Sequence, residues 1–207
     1  MYARSVTMQA RPESIDAGVA YVRDTVLPLL QDIDGCIGLS MLVDRRSGRC
    51  IATSSWQTRE AMLASADQLR PIRERGAEIL GAGPPQVDEW EIAVLHRDHT
   101  SRPGACVRAT WVRTDPAQAE RAIDAFKMGV LPAVEAFDGF CSASLLVNRE
   151  SGLGVGAVSF DSREALDRSR EHAAGLRERV SRDAGFEVVE VGEFELALAH
   201  LRVPELV

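Results

Sequence analysis

Two side chains are the first candidates for chemistry in this sequence, Trp56 and His172. Trp56 ends an apolar, strand-like run, where its indole could stack on an aromatic ligand and donate a hydrogen bond to a ligand oxygen. The alternative is a core tryptophan at a strand-to-helix junction. His172 lies beside the apolar stripe of a predicted helix, so we expect it to face the cavity between that helix and the sheet. There it could act as a general base, whereas the alternative is an edge histidine hydrogen-bonded to backbone or water.

Arg4 and Arg108 are candidates for binding an anionic group, because each lies on the first predicted strand of one half of the chain. In the fold proposed below, the first and last strands are neighbours. The two arginines could therefore form cross-strand ion pairs with Glu91 and Glu195. Alternatively, a guanidinium could hold an anionic substrate with two parallel hydrogen bonds.

Three further side chains complete the predicted substrate-binding set, namely Trp111, Gln68 and Phe160. Trp111 lies on a first strand and could either line a cavity or fill the core. Gln68 and Phe160 occupy the positions that correspond to His172 and Trp56 in an internal repeat. Each half of the chain thus carries one polar and one aromatic side chain at these points.

The sequence predicts no metal site, because His96 and His99 lack a third ligand at a recognisable spacing. The four cysteines each lie in an apolar run and form no CxxC pair. We therefore expect small, buried, reduced side chains in a cytoplasmic protein. Glycine-rich nucleotide loops and the GxSxG and HExxH motifs are absent from the sequence, so nucleotide and triad chemistries have no support.

The composition excludes further classes of function. The chain has 207 residues with a net charge of -7, of which 45% are hydrophobic and 27% charged. An acidic chain without clustered Lys and Arg is a poor nucleic-acid partner. No apolar run is long enough to span a membrane, and the N-terminus does not resemble a signal peptide, so we expect no membrane association.

An internal repeat decides the predicted fold. A shift of 104 residues aligns the chain with itself without a gap, from Tyr2 on Cys106 to Arg97 on Leu201. The following identical pairs are among those that this alignment brings together: Arg4/Arg108, Pro28/Pro132, Asp34/Asp138, Gly35/Gly139, Arg73/Arg177, Glu89/Glu193 and His96/His200. A repeat of domain size that occurs twice indicates a tandem duplication rather than a solenoid.

The repeat predicts the domain boundaries. We expect a first copy over residues 1–97, a linker over 98–104 and a second copy over 105–207. The linker sequence is polar and contains Pro and Gly, as is typical of a boundary.

Each copy has the pattern strand, helix, hairpin, helix, strand. Apolar residues recur at steps of three and four through the first helix. Pro28 and Pro132 lie inside this helical pattern, so we expect a kink or a tightened last segment there. Thr58 and Ser162 are the predicted caps of the second helix.

The order βαββαβ is that of a ferredoxin-like unit, with a four-stranded antiparallel sheet and both helices on one face. The other face is too apolar for water. We therefore predict an α+β fold in which the two repeats pair with each other, sheet to sheet, as an intrachain dimeric α+β barrel. Exposed strand edges leave further homodimerisation open.

The segments "DIDGCIGLSMLVDRRSGRCIATSSWQTREA" and "AFDGFCSASLLVNRESGLGVGAVSFDSREA" carry a resemblance to a known family. Glycine after the first helix, then a strand that ends in Trp, then a helix that starts with a Ser/Thr-x-Glu-Ala sequence, resembles the antibiotic biosynthesis monooxygenases. The second copy has Phe160 in place of the Trp. The resemblance covers nearly the whole chain and implies the dimeric α+β barrel fold.

The resemblance implies a cofactor-independent monooxygenase that acts on a small aromatic or polyketide-like molecule, since some relatives oxidise such substrates with dioxygen and no metal or flavin. The alternative is a non-catalytic ligand-binding or assembly module. Haem binding or degradation is a weaker third possibility. Haem-cleaving relatives carry their ligand histidine where this chain has Ser169, and an Asn where it has Gln9 and Arg113.

Overall fold

The computed structural model describes residues 1–206. The first half of the chain forms β1 (Tyr2–Gln9), α1 (Ile15–Tyr21), α2 (Leu27–Gln31), β2 (Cys36–Asp44), β3 (Arg49–Trp56), α3 (Arg59–Ala64), α4 (Ala66–Leu80) and β4 (Gln86–Arg97). The second half repeats this order with β5 (Cys106–Arg113), α5 (Ala119–Ala125), α6 (Leu131–Glu135), β6 (Phe140–Asn148), β7 (Leu153–Phe160), α7 (Arg163–Arg168), α8 (Arg170–Ala184) and β8 (Glu187–Leu201). The predicted βαββαβ order is therefore confirmed in both halves.

The eight strands have the hydrogen-bonded order β1-β3-β2-β8-β5-β7-β6-β4, which is that of a closed barrel. Both predicted hairpins are present, and the strand pairs β1/β3, β2/β3, β2/β8, β4/β6, β5/β7 and β6/β7 are all antiparallel. The hairpin of β2 and β3 pairs Asp44 with Arg49, and that of β6 and β7 pairs Asn148 with Leu153. The α+β class of the prediction is thus confirmed.

Two compact units make up the chain, and their limits fall inside strands. Among the described residues, unit 1 comprises residues 1–90 and 195–203, and unit 2 comprises residues 91–194 and 204–206. The second half of β8 pairs with β2 in unit 1, and the second half of β4 pairs with β6 in unit 2. The repeat boundaries at 97/98 and 104/105 describe the duplication of the sequence and stay a prediction.

The first helix of each unit contains a π-helical turn before its proline. The turn spans Val22–Val26 in unit 1 and Phe126–Val130 in unit 2. The backbone N–H of Leu27 donates to the carbonyl of Val22, five residues back. Because Pro28 follows and has no N–H, the wider turn accommodates the missing donor. The helix therefore widens at this point, whereas the sequence predicted a kink or a tightened last segment.

The turn after this helix needs glycine. Gly35 and Gly139 adopt φ of 81° and 76°. A Cβ at either position would lie 2.7 Å from the Cβ of Ala61 or Ala165. Only a residue without a side chain fits both the left-handed backbone and the close approach of the next helix.

The second helix of each unit starts at its predicted cap and is interrupted one turn later. Thr58 Oγ1 accepts a hydrogen bond from the N–H of Ala61. Ser65 and Ser169 then separate α3 from α4 and α7 from α8. The hydroxyl of Ser169 donates to the carbonyl of Leu166 at 2.7 Å, which competes with the helical bond and allows the change of direction.

Each unit packs its helices on one face of its strands around an apolar core. The core of unit 1 contains Ile15, Met41, Trp56 and Leu80, and that of unit 2 contains Ile123, Phe126, Leu145 and Leu176. Within residues 1–206, no helix is both long and apolar enough to cross a bilayer.

Candidate functional site

A cavity of about 110 Å³ lies between the helices and the strands of unit 2. Its walls come from β5, β6 and β7 on the sheet side and from the first helix and α8 on the other side. The lining is almost entirely aliphatic and aromatic, as in the side chains of Phe126, Leu145 and Leu176. Apolar cavities of this order of volume bind small aromatic molecules in other proteins.

Two glycines of β7 keep this cavity open. Gly154 and Gly156 line it, and their counterparts in unit 1 are Cys50 and Ala52. A Cβ on Gly156 would lie 3.2 Å from the ring of Phe126, so even one methyl group would press on the wall. The missing side chains leave room in the unit 2 cavity, and the corresponding cavity of unit 1 has a volume of about 80 Å³.

One end of the unit 2 cavity is cationic, and Arg108 is its fixed component. This arginine is 4% exposed. It pairs with Glu193 at 2.9 Å and donates to Ser169 Oγ at 2.8 Å and to the carbonyl of Leu166 at 2.9 Å. Its guanidinium also lies 5.9 Å from the ring centre of Phe160. Its charge is therefore neutralised within the protein, as buried charges require.

Arg177 is the second cation at this end, and unlike Arg108 it is only half-buried. It projects from α8 into the lining of the cavity. Among the described residues it has no hydrogen-bond or ion-pair partner. Burial lowers the pKa of Arg177, and the neighbouring charge of Arg108 lowers it further, while Glu193 opposes both effects. A half-buried guanidinium with five unused donors faces an apolar space.

A polar atom also lies towards the other end of the cavity. Thr114 Oγ1 is buried without a partner among the described residues, and Thr114 lines the cavity. Arg108, Thr110 and Val112 alternate along β5, and Thr114 follows the strand at the next two-residue step, so all four line the side turned to the helices. Six residues of strand extend about 20 Å. The lining therefore extends along an elongated path with cations at one end and a hydroxyl at the other.

Unit 1 repeats the cationic end of the cavity in a tighter form. Arg4 is 2% exposed and pairs with Glu89 at 2.8 Å. Arg73 lines the cavity, and its Nη2 donates to the carbonyl of Ala66 at 3.4 Å, whereas its Nη1 is buried without a partner in the described chain. Each unit thus holds one arginine in an ion pair and a second arginine that has hydrogen-bond donors without a partner in the described chain.

The predicted ion-pair partners of the first-strand arginines were wrong. Arg4 and Arg108 pair with Glu89 and Glu193, two residues before the expected Glu91 and Glu195. The expected glutamates instead pair with hairpin arginines, Glu91 with Arg149 and Glu195 with Arg45. A two-residue step along a strand keeps the same face, so the sequence alone could not distinguish the two registers.

Trp56 and Phe160 occupy equivalent positions but have different surroundings. Both are fully buried. The indole N–H of Trp56 donates to Ser54 Oγ at 3.0 Å, and Trp56 is not part of the described lining of the unit 1 cavity. Phe160 does line the cavity of unit 2. Phe160, and not Trp56, therefore lines a described cavity.

The structure does not place His172 in the cavity. This histidine is exposed on α8, and its ring lies 6.5 Å from that of Phe137. Gln68, its counterpart in unit 1, is also exposed. Trp111 lies between Thr110 and Val112 on β5 and therefore on the opposite sheet face, where its ring contacts Phe194 edge-on. The expectation that His172 faces the helix–sheet cavity is wrong.

Sequence reasoning missed the two arginines that line the cavities without an ion pair in the described chain. Arg73 and Arg177 are identical between the repeats and lie beside the apolar stripes of α4 and α8, which was the available signal. A charged residue at matching positions next to an inner helical stripe indicates a half-buried cation. Thr114 had no comparable signal, because an unpaired hydroxyl depends on its tertiary surroundings.

The element order, the strand order and the helix–sheet cavities define a barrel protein of the ferredoxin-like α+β class. An anthrone oxidase-like protein has the same fold with a TM-score of 0.69 and 13% identity, over 100% of this chain and 95% of that one. A ferredoxin-fold protein related to antibiotic biosynthesis monooxygenases from Listeria monocytogenes matches with a TM-score of 0.56 and 7% identity, covering 95% and 94%. The heme-degrading enzyme LmHde from Listeria monocytogenes matches with a TM-score of 0.54 and 8% identity, covering 94% and 99%. The resemblance to the antibiotic biosynthesis monooxygenases is thereby confirmed for the fold.

No family model matches the chain. It is 58% identical over 207 residues to the uncharacterized protein Rv2557 of Mycobacterium tuberculosis, which covers 100% of this chain and 92% of that protein. It is 55% identical over 208 residues to the uncharacterized protein Rv2558 of the same organism, with coverage of 100% and 88%. The chain belongs to the family of these two mycobacterial proteins.

Proposed function

We propose that the cavity of unit 2 binds a small, elongated, apolar molecule that carries one anionic or ionisable oxygen. The observation that carries this proposal is Arg177, a half-buried guanidinium that lines an apolar cavity without a partner of its own in the described chain. The apolar walls would take the carbon skeleton, and Arg177 would take the oxygen.

The two arginines have separate roles in this proposal. Arg108 is neutralised by Glu193 and held by Ser169, so its part is to shape the end of the site together with Phe160. Arg177 is available to donate to an oxyanion. A charge-assisted hydrogen bond in a cavity with little water is stronger than the same bond in bulk solvent. Such a guanidinium also lowers the pKa of a bound phenol or enol.

We propose further that the bound molecule is oxidised by dioxygen, as the fold class and the anthrone oxidase-like protein suggest. In such a reaction an anthrone methylene loses two hydrogens and gains one oxygen atom, and the second oxygen atom leaves as water. The substrate itself supplies the electrons, so the reaction needs no external reductant. Arg177 would stabilise the enolate that reacts, because it favours the negative form.

The proton of the substrate would leave to solvent. The described lining of the unit 2 cavity contains no carboxylate and no histidine. This observation favours the second candidate function, a module that binds the ligand without catalysis. It also weighs against haem, since His172 lies outside the cavity.

Operation without a cofactor and cytoplasmic localisation stay parts of the proposal.

Dioxygen uptake with an anthrone as the probe tests the catalytic part. We expect uptake and quinone formation with the wild-type protein after treatment with a chelator. In Arg177→Gln the rate should fall about 10- to 100-fold, since one charged hydrogen bond to the reacting oxygen contributes about 1.5–3 kcal/mol.

Arg179→Gln is the matched control, because Arg179 is exposed on the same helix and does not line the cavity. Its rate should equal that of the wild type. Equal losses in both variants would contradict a role for Arg177. Binding of the anthrone without uptake would exclude the oxygenase and leave the binding module.

A further inference from the structure

Three ligand-type side chains meet in unit 2, and none of them is in the described lining of the cavity. His99 follows β4, Cys141 lies in β6, and Asp161 follows β7. Their donor atoms all lie within 4.8 Å of one another. The sequence suggested no such cluster, because the three residues come from separate elements and share no motif spacing.

The distances suit a tetrahedral metal ion. His99 Nε2 lies 2.9 Å from Asp161 Oδ1, and Cys141 Sγ lies 3.4 Å from the same oxygen. Around zinc, with Zn–N and Zn–O of about 2.1 Å and Zn–S of about 2.3 Å, the corresponding separations are about 3.4 and 3.6 Å. These two separations would therefore need to lengthen by only about half an ångström or less, and the third, between His99 Nε2 and Cys141 Sγ, is already within 4.8 Å.

The protein backbone already holds the three residues in place. The N–H groups of Asp98 and His99 both donate to the carbonyl of Cys141, at 2.9 and 3.4 Å. The N–H of Asp161 donates to the carbonyl of Gly139 at 2.9 Å. The ligand atoms are thus brought together by strand-end contacts that do not depend on the side chains.

Asp98 orients the histidine. Its Oδ2 lies 2.7 Å from His99 Nδ1, which leaves Nε2 directed at the cysteine and Asp161. A carboxylate on the far nitrogen of a histidine is the usual outer partner of a zinc ligand, since it fixes the tautomer and the ring orientation.

The corresponding place in unit 1 shows that the fold does not require a polar cluster. The counterparts of Cys141, Asp161 and His99 are Ile37, Gln57 and Val203. The strand-end contact is kept there, because the N–H of Arg202 donates to the carbonyl of Ile37 at 2.8 Å. Unit 1 makes the same backbone contact with mostly apolar side chains. The backbone contact therefore does not explain why unit 2 has His, Cys and Asp at these positions.

We propose that His99 Nε2, Cys141 Sγ and Asp161 Oδ1 bind one Zn²⁺ ion, with water as the fourth ligand. The mixed sulfur, nitrogen and oxygen donors match the preferences of zinc. On binding, the thiol and the Nε2 position each release a proton to solvent. The expectation from the sequence that the chain has no metal site is revised accordingly, and the inference is independent of the proposed cavity function.

Titration of the reduced, metal-free protein with Co²⁺ tests this site, because a cobalt–thiolate bond gives a charge-transfer absorption band. We expect the band to saturate at one Co²⁺ per chain and to disappear when Zn²⁺ is added. Cys141→Ser should abolish the band. Cys36→Ser is the matched control, since this free thiol lies in unit 1 outside the cluster, and it should keep the band.

Substitutions at the partly exposed residues of the cluster should leave the fold intact. The side chains of His99 and Asp98 are 35% and 66% exposed. His99→Gln should weaken Co²⁺ binding at least about 10-fold, and Asp98→Asn about 10-fold through loss of orientation. A band that persists unchanged in Cys141→Ser or His99→Gln, or no band with the wild type at stoichiometric Co²⁺, would overturn the proposal.

Discussion

The buried ion pair of Arg108 and Glu193 is the feature at the residue scale on which the cationic end of the cavity depends. Arg108 is almost inaccessible to solvent and has three partners, two of which are neutral. Since the pair is mostly buried, removing Glu193 would leave the charge of Arg108 without a counter-ion. If Arg108 is removed, Glu193 retains Arg163 and Arg170, which lie nearer the surface.

Arg108→Met should lower the free energy of unfolding by about 3 kcal/mol, because it breaks a buried charge pair and strands the acceptor Ser169 Oγ. The matched control is Arg163→Met, which removes a 44% exposed partner of the same glutamate and should change stability by less than about 1 kcal/mol. Urea denaturation measures both. Equal effects would show that burial does not distinguish the two pairs.

The same pair predicts a pH dependence. Burial raises the pKa of Glu193, but hydrogen bonds from Arg108 and Arg170 outweigh burial and hold the pKa below its ordinary value. A lowered pKa means that the ionised form stabilises the fold above the ordinary value of about 4.3 and that this stabilisation is lost as the pH falls through the lowered pKa.

Glu193→Gln should therefore be less stable than the wild type at neutral pH, and the difference should shrink below about pH 4. Urea denaturation across that range measures it, with Glu187→Gln, an exposed position at the start of β8, as control. A difference that stays constant with pH would contradict the coupling.

At the scale of elements, the helices and strands follow the hydrophobic periodicities, which is why their order could be predicted. What periodicity could not predict is the orientation of single residues at the border of a stripe. His172 precedes the buried Ala173 by one position, and one residue rotates a helix by about 100°. That step turns the imidazole from the cavity to solvent. Trp56 likewise satisfied the pattern of a strand end, but its local partner Ser54 fixes it in the core.

Two glycines provide a prediction at this scale. Gly139→Ala should destabilise the protein by about 1–3 kcal/mol, because the residue has φ of 76° and the new Cβ would lie 2.7 Å from that of Ala165. Gly175→Ala should instead stabilise it by about 0.5–1 kcal/mol, because Gly175 is inside α8 with open space around its Cβ position. Thermal unfolding of both variants measures these changes in stability. A change of the same sign in both variants would contradict the two assignments.

At the scale of the whole molecule, a duplicated sequence has produced two units with the same plan and different interiors. Each unit keeps an arginine paired with a glutamate and a second arginine on its long helix. In the cavity wall of unit 2, β7 carries Gly154 and Gly156, where β3 of unit 1 has Cys50 and Ala52. The repeat could be recognised in the sequence, but the larger cavity depends on how these small residues pack against Phe126.

The central claim is that the cavity of unit 2 binds an apolar anion through Arg177. Calorimetric titration with 2-naphthoate, with uncharged 2-naphthamide as the matched probe, tests it most directly. We expect one site per chain, a clear preference for the naphthoate, and a loss of about 10- to 100-fold in Arg177→Gln but not in Arg179→Gln. Arg73→Gln in unit 1 should leave that site intact. Unchanged naphthoate binding in Arg177→Gln, or a loss confined to Arg73→Gln, would contradict the account.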